Sequence, residues 1–182
     1  MKKLALTDFT KYRYPSALEL SPDGRYLTFA LKEVDREGDG YRWNLWLYDL
    51  ESRESRQITR GDDQRQAVWE DNTHILYKTT ELDEAMRARG FEEEWTVYHR
   101  LNVCTGEECE AFRLPMSVSG LWKMDEGRYV FTGETHLDRP NLLELTGEAL
   151  EKELVRRQQT KGYKVLTELP LCCLLYTSDA AD

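Results

Sequence analysis

The sequence predicts an all-β fold built from repeated four-stranded antiparallel units, and three observations support this prediction. Residues Ser21–Gly24 read S-P-D-G between two apolar runs, which is typical of a β-hairpin turn that ends in a left-handed glycine. Turns and apolar strands then recur with a period of about 50 residues. The strands are apolar on both faces, so each unit needs a neighbour on either side. Together these features predict an incomplete β-propeller of about three blades, in preference to a sandwich.

The first predicted blade covers about residues 17–60 and follows a polar lead-in at 1–16. Alternation of side chains in its second strand places Leu27, Phe29 and Leu31 on one face and Tyr26, Thr28 and Ala30 on the other. Neither set is polar, so this strand is predicted to lie between two layers. Its four strands are predicted at 17–20, 25–31, 44–50 and 55–59.

The same pattern predicts a second blade at about 67–114 and a third at about 120–146. The second blade contains a charged insertion at 81–94, and the third is expected to include a strand at 141–145. Superposing the repeats aligns Phe29 with Tyr77 and Phe131, and it aligns Trp69 with Trp122. This repetition of both turn and aromatic position is what favours a propeller over a sandwich.

The remainder of the chain departs from the repeat. Residues 148–159 have apolar side chains at near-helical spacing, which leaves a short helix and a charged insertion as alternatives. A fourth blade is predicted to begin near residue 163, so the partial propeller would cover 17–172. Residues 173–182 fit no blade position, and we interpret them as translated read-through of a sequencing adapter.

The ordered segments S-P-D-G-R-Y-L-T-F-A, N-L-W-L-Y-D-L and R-Q-I-T resemble the N-terminal propeller of the prolyl oligopeptidase family of serine peptidases. The acylaminoacyl-peptidase and dipeptidyl-aminopeptidase-like members look nearest. Tyr163–Pro170 also resembles the segment that these proteins carry between the third and fourth blades, and the likeness covers roughly residues 8–171. In that family, a propeller of seven or eight blades caps an α/β-hydrolase domain that holds a Ser-Asp-His triad.

The resemblance implies that this chain is the substrate-gating propeller of a peptidase acting on peptides, with the hydrolase domain as its missing partner. No G-x-S-x-G motif is present, and Ser117–Gly120, the nearest approach, lacks the first glycine. No triad residue is therefore carried over. A stand-alone propeller that binds a partner without catalysis remains the alternative.

Composition limits the classes of partner and the location. The formal net charge of −9 argues against nucleic acid and anionic membranes as partners. The apolar run at residues 4–6 is shorter than the roughly 7–15 residues of a secretory signal, and no run approaches a membrane span, so we expect a cytoplasmic protein. The four cysteines are then expected as thiols, although Cys104 and Cys109 could face each other as a disulfide across a hairpin. The other two are Cys172 and Cys173.

Few residues suggest chemistry, and no catalytic, cofactor-binding or metal-binding residue is assigned. The histidines are scattered over different repeats without a metal-ligand pattern, so structural roles are expected for His74, His99 and His136. In some peptidases of the family that the sequence resembles, acidic residues of the propeller bind the free amino terminus of the substrate. The resemblance suggests this role for Glu92–Glu94, but a solvated hairpin tip is favoured. Most of the tryptophans are expected to pack between blades. These are Trp43, Trp46, Trp69, Trp95 and Trp122.

Overall fold

The computed structural model describes residues 6–35, 40–125, 127–134 and 139–159. Contacts divide the chain into two compact units, Met1–Asn141 and Leu142–Asp182. The described residues of the first unit form a 3-10 helix at Leu6–Lys11 and three antiparallel sheets.

The first sheet has four strands in the order of the chain, each paired antiparallel with the next. The strands are β1 (Tyr14–Leu20), β2 (Tyr26–Asp35), β3 (Gly40–Asp49) and β4 (Glu54–Gln57). The predicted turn between β1 and β2 is confirmed, because the Gly24 N–H donates to the Ser21 carbonyl and Gly24 has a φ of 74°. The Ser21 hydroxyl donates to Asp23 and accepts from the Tyr26 N–H, which fixes the turn.

The first blade begins three residues earlier than the predicted boundary at residue 17. Tyr14, Pro15 and Ser16 pair with β2, so they belong to the sheet and not to the lead-in. The alternation of side chains is interrupted by a β-bulge between Ser16 and Glu19, where Ala17 has a φ of 49°. A bulge shifts the period-two pattern by one residue, and this hid the start of the strand from the sequence.

The second sheet repeats this plan. Its strands are β5 (Ala67–Trp69), β6 (His74–Leu82), β7 (Glu94–Asn102) and β8 (Glu108–Leu114), again in chain order. The charged insertion between β6 and β7 contains the helix α1 (Glu84–Ala88). Asp83 caps this helix by accepting from the Met86 N–H, and it also accepts from the Trp95 indole.

The third sheet, within the described residues, has the strands β9 (Ser117–Lys123) and β10 (Tyr129–Glu134). The strand predicted at 141–145 is wrong, because Leu142–Glu144 forms a 3-10 helix. This N-L-L-E-L segment has no β-branched residue and follows Pro140, so its local preference is not for a strand.

The second unit contains α2 (Gly147–Gln159), which confirms the helical alternative for 148–159. In its last turns Arg156, together with Arg157, lowers the pKa of Glu153 to about 2 by hydrogen bonding. The start of a fourth blade near 163, the segment 173–182 and the two cysteines at 172 and 173 lie outside the described residues.

The three sheets pack face to face, with their first strands next to each other. β1 contacts β5, and β5 contacts β9. One apolar cluster, which includes Leu45, Ile75 and Tyr77, fills the space between the first and second sheets. Another, with Leu76 and Leu121, lies between the second and third. Successive sheets arranged around neighbouring inner strands are blades of a propeller.

The alignment of Phe29, Tyr77 and Phe131 agrees with the strand register, but that of Trp69 with Trp122 is wrong by one residue. Trp69 pairs with Ile75, whereas Lys123 pairs with Tyr129 across a turn of the same length. Lys123 is therefore the equivalent of Trp69. Because strand side chains alternate, Trp122 points to the opposite face of its sheet, where its side chain is 49% exposed.

Candidate functional site

The inner strands and their turns border an open cavity of about 370 Å³, which we call the axial cavity. All three sheets contribute to it, and most of its lining residues have apolar side chains. The apolar residues include Leu20, Trp69, Leu121, Trp122 and Met124, and the charged residues at its border are Glu19 and Lys123. This concave surface brings together residues that are far apart in sequence.

Burial raises the pKa of the Glu19 carboxyl, while a hydrogen bond with Gln66 opposes this shift. The ammonium group of Lys123 is already engaged, because it donates to the Glu70 carbonyl oxygen. The cavity thus combines apolar and aromatic side chains with one carboxyl group, that of Glu19. Such an arrangement can bind a small apolar or amine-bearing group, and it presents no pair of nucleophile and base.

Trp69 joins the first two sheets beside this cavity. Its ring stacks on Tyr26 at 6.4 Å, and its indole N–H donates to the Glu19 carbonyl at 3.2 Å. The side chain is 6% exposed. The prediction that tryptophan packs between blades is confirmed for this residue.

The other tryptophans are not part of the two apolar clusters between the described sheets, so the prediction is not confirmed for them. Trp46 stacks on Phe29, its cross-strand partner, on the face of the first sheet that looks away from the second. Trp43 lies beside the cations of Lys32 and Arg65 on the extended β2–β3 hairpin. Trp95 donates to the helix cap at Asp83, and Trp122 folds over Gly120, where an added Cβ would lie 2.5 Å from the ring.

A polar bridge links the second and third sheets next to the axial cavity. The Glu70 carboxylate accepts from the Arg100 guanidinium on β7 and from the Tyr129 hydroxyl on β10, the latter at 2.7 Å. Arg100, and then Tyr129, lower the pKa of Glu70 through these hydrogen bonds despite its burial. Burial and the Glu70 charge in turn raise the pKa of Tyr129 to about 12.

His74 and His99 both lie in strands, as predicted, and each has protein partners. His74 Nδ1 lies 2.9 Å from the Asp71 carboxylate. Burial alone would raise the pKa of Asp71, but hydrogen bonds from backbone N–H groups outweigh burial and lower this pKa to about 2. His99 Nε2 lies 3.0 Å from the Thr79 hydroxyl, and its Nδ1 lies 3.4 Å from Glu108. His136 lies outside the described residues.

The order of hydroxyl, imidazole and carboxylate around His99 is that of a hydrolase triad, but this imidazole is held within a sheet. Its ring stacks on Tyr77 at 5.4 Å, and burial raises the pKa of the Tyr77 hydroxyl beside Glu108. A second cavity, of about 300 Å³, borders Tyr77 and Glu108. We assign no reaction to these groups, and the absence of a catalytic residue stays a prediction.

The remaining candidates lie on the surface. Glu92 and Glu94 are exposed at the end of the insertion, while the Glu93 carbonyl accepts from the Asp83 N–H. Cys104 and Cys109 are exposed free thiols. Within the described ranges, no three His, Cys, Asp or Glu side chains cluster as metal ligands, and no helix is long and apolar enough to cross a membrane.

Comparison with known proteins gives no match to a family model or to a curated protein. Among solved structures, the chain is similar to the β-propeller domain of the Trilobed protease from Pyrococcus furiosus, with 13% identity and a TM-score of 0.49. That match covers 68% of this chain and 34% of the other. The chain is also similar to an acylaminoacyl peptidase from Pyrococcus horikoshii, with 11% identity and a TM-score of 0.57.

The match to the acylaminoacyl peptidase covers 90% of this chain and 21% of that protein. It shows a shared fold, in agreement with the stacked antiparallel sheets. The chain is an incomplete β-propeller. The predicted all-β class is therefore confirmed, and the resemblance to peptidases of this kind is confirmed at the level of the fold. This chain spans about a third of the length of the Trilobed protease propeller domain and about a fifth of the length of the acylaminoacyl peptidase.

Proposed function

We propose that this chain is part of the propeller of a prolyl oligopeptidase-type serine peptidase, and that the intact protein cleaves peptides. The observation that carries the proposal is the fold likeness to an acylaminoacyl peptidase over 90% of the chain. The ordered sequence motifs of the hairpins, which resemble those of the same class of enzyme, give independent support. A cytoplasmic location belongs to the proposal.

In this proposal the propeller controls access and the chemistry takes place elsewhere. The inner strands β1, β5 and β9 would line the path to the active site, so that peptides enter and folded proteins do not. The axial cavity would contact the passing chain through its apolar walls and the Glu19 carboxylate. A serine nucleophile with its histidine and acid, in an α/β-hydrolase domain of the same protein, would perform acyl transfer.

The decisive experiment is to sequence the gene at its genomic locus. A G-x-S-x-G motif followed by Asp and His codons in the same reading frame supports the peptidase. A stop codon after further blades, without this motif, overturns it. As a biochemical check, a serine-directed fluorophosphonate should label the complete protein and leave the 182-residue chain unlabelled.

The alternative is a propeller that binds a partner without catalysis. The axial cavity is consistent with such a binding function, because its lining residues offer apolar contacts and the carboxyl group of Glu19. Peptide hydrolysis by the complete protein, abolished by changing the serine of its G-x-S-x-G motif to alanine, separates the two functions.

A further inference from the structure

The second cavity, of about 300 Å³, lies between the first and second sheets, and we call it the interblade cavity. The end of β4 and the connection that follows it, residues 56–60, form one wall. Strands β6, β7 and β8, with the β7–β8 turn, form the other wall. Each of these two sheets has all four of its strands, so two complete blades enclose the cavity. Its volume is at the lower end of the roughly 300–1,000 Å³ that small-molecule sites occupy.

One side of the interblade cavity is apolar. It consists of Ile58, Leu101 and Val103, which belong to the apolar cluster packed between the two sheets. Leu101 and Val103 are almost completely buried, so they lie at the bottom of the cavity and not at its rim. The hydrocarbon part of a ligand can therefore leave water by packing against these side chains.

Hydrogen bonds hold the connection after β4 against the first sheet. The Ile58 N–H donates to the Leu45 carbonyl at 2.8 Å, and the Leu45 N–H donates to the Thr59 hydroxyl at 2.9 Å. The Gln57 side-chain amide donates to the Thr59 carbonyl at 2.7 Å. This wall of the cavity is therefore already formed, and a ligand does not have to spend binding energy on ordering it.

Two exposed arginines of the same wall, Arg56 and Arg60, form no ion pair with any carboxylate in the described part of the chain. The Arg56 guanidinium donates to the Val103 carbonyl across the cavity, which leaves most of its five N–H groups available. By contrast, Arg65 pairs with Asp63 at 2.8 Å. The chain has 34 acidic and 25 basic residues, yet these two cations at one cavity have no protein counter-ion among the described residues.

The carboxylate on the opposite wall, that of Glu108, already has protein partners. His99 Nδ1 lies 3.4 Å from it. Burial, and then the hydrogen bond with Glu108, raises the pKa of the Tyr77 hydroxyl, which therefore stays protonated and donates to this carboxylate. The charge that the cavity leaves without a partner is thus the positive charge of the two arginines.

We propose that the interblade cavity binds a small organic acid, whose carboxylate pairs with Arg56 and Arg60 and whose hydrocarbon part packs against the apolar side. A guanidinium presents parallel N–H donors that match the two oxygens of a carboxylate. An inorganic anion would satisfy the arginines but would leave the apolar side unused, so a carboxylate on a hydrocarbon group fits better. The proposal goes beyond the proposed peptidase function and does not depend on it, and the cavity shares no lining residue with the axial cavity.

Titration of the 182-residue chain with isovalerate, followed by backbone amide NMR, tests the proposal. Isovalerate should shift the amides of residues 58–60 and 103–106 with a dissociation constant of about 1–10 mM. Isovaleramide has the same hydrocarbon group without the charge, and it should bind at least about fivefold more weakly. Inorganic phosphate should also bind at least about fivefold more weakly, because it makes no apolar contact. Equal binding of either probe and isovalerate would overturn the proposal.

Substitutions test the charges with the same NMR titration, and circular dichroism checks that each variant is folded. Arg60→Gln should weaken isovalerate binding about fivefold or more. Arg87→Gln is the matched control, because Arg87 is exposed on α1 and does not line the cavity, and it should leave binding unchanged. Glu108→Gln should tighten binding roughly two- to threefold, since it removes a negative charge from the cavity. Equal effects of the two arginine variants, or weaker binding by Glu108→Gln, would show that the proposed site is wrong.

Discussion

Replacing Glu70 with alanine should destabilise the chain more than replacing any surface carboxylate, because Glu70 joins two blades. Its side chain is 12% exposed and accepts hydrogen bonds from both β7 and β10. The bond from the neutral Tyr129 hydroxyl to a charged acceptor contributes about 1.5–2 kcal/mol. The Arg100 side chain is 46% exposed, so its pairing is discounted to about 0.5–1 kcal/mol. The expected loss is therefore about 2–3 kcal/mol.

Urea unfolding followed by tryptophan fluorescence measures this loss as a shift of the midpoint at constant slope. Tyr129→Phe removes one of the two links and should cost about 1–2 kcal/mol. The double variant with Glu70→Ala should be less destabilised than the sum of the single variants, because both remove the same hydrogen bond.

Glu110 provides the matched control, since it pairs with Arg113 on the exposed strand β8. Glu110→Ala should give no measurable change. If Glu70→Ala were no more destabilising than this control, or if the effects of Glu70 and Tyr129 were strictly additive, the bridge would not hold the second and third sheets together.

Three further changes test other parts of the structure. Gly24→Ala, at a φ of 74° with open space around it, should cost about 1–2 kcal/mol from the left-handed backbone alone, and Gly24→Asn less, as measured by urea midpoints. Trp69→Phe loses the bond to the Glu19 carbonyl and part of a buried ring, and should cost about 2 kcal/mol on the same assay. The pKa of Asp71 is lowered to about 2, so its contribution is present above its ordinary pKa of 3.8 and is lost as pH falls toward 2. In the Asp71→Asn variant, the free energy of unfolding should therefore change less between pH 3.8 and pH 2 than it does in the original chain. An identical pH dependence in the two proteins would refute the lowered pKa of Asp71.

Structural features that depend on residues close together in the sequence could be predicted from the sequence. The S-P-D-G turn is an example, because Ser21, Asp23 and Gly24 bond to groups within five positions. The helix α1 had a similar local signal that the sequence analysis missed. Asp83 is a good N-cap, E-A-M-R-A has strong helix formers, and Gly90 follows in a left-handed conformation.

Errors in the predicted sheets came from the short period of a strand. One extra residue at the Ala17 bulge, or one residue of misalignment at Trp122, moves every later side chain to the other face. The alignment of Trp69 with Trp122 compared residue types, whereas the register compares paired positions. The correct alignment, of Trp69 with Lys123, becomes visible only from the cross-strand pairs of Trp69 with Ile75 and of Lys123 with Tyr129.

The axial cavity and the Glu70 bridge could not be predicted from the sequence because their parts lie in different repeats. Glu70 meets Arg100 and Tyr129, which are 30 and 59 positions away. In the repeat, its equivalent in the first turn is Ser21, whose hydroxyl bonds within its own hairpin. The same position thus closes a turn in one blade and ties two blades together in the next. Repetition therefore predicts where a residue lies in a blade, while its partners depend on which sheets have been stacked beside it.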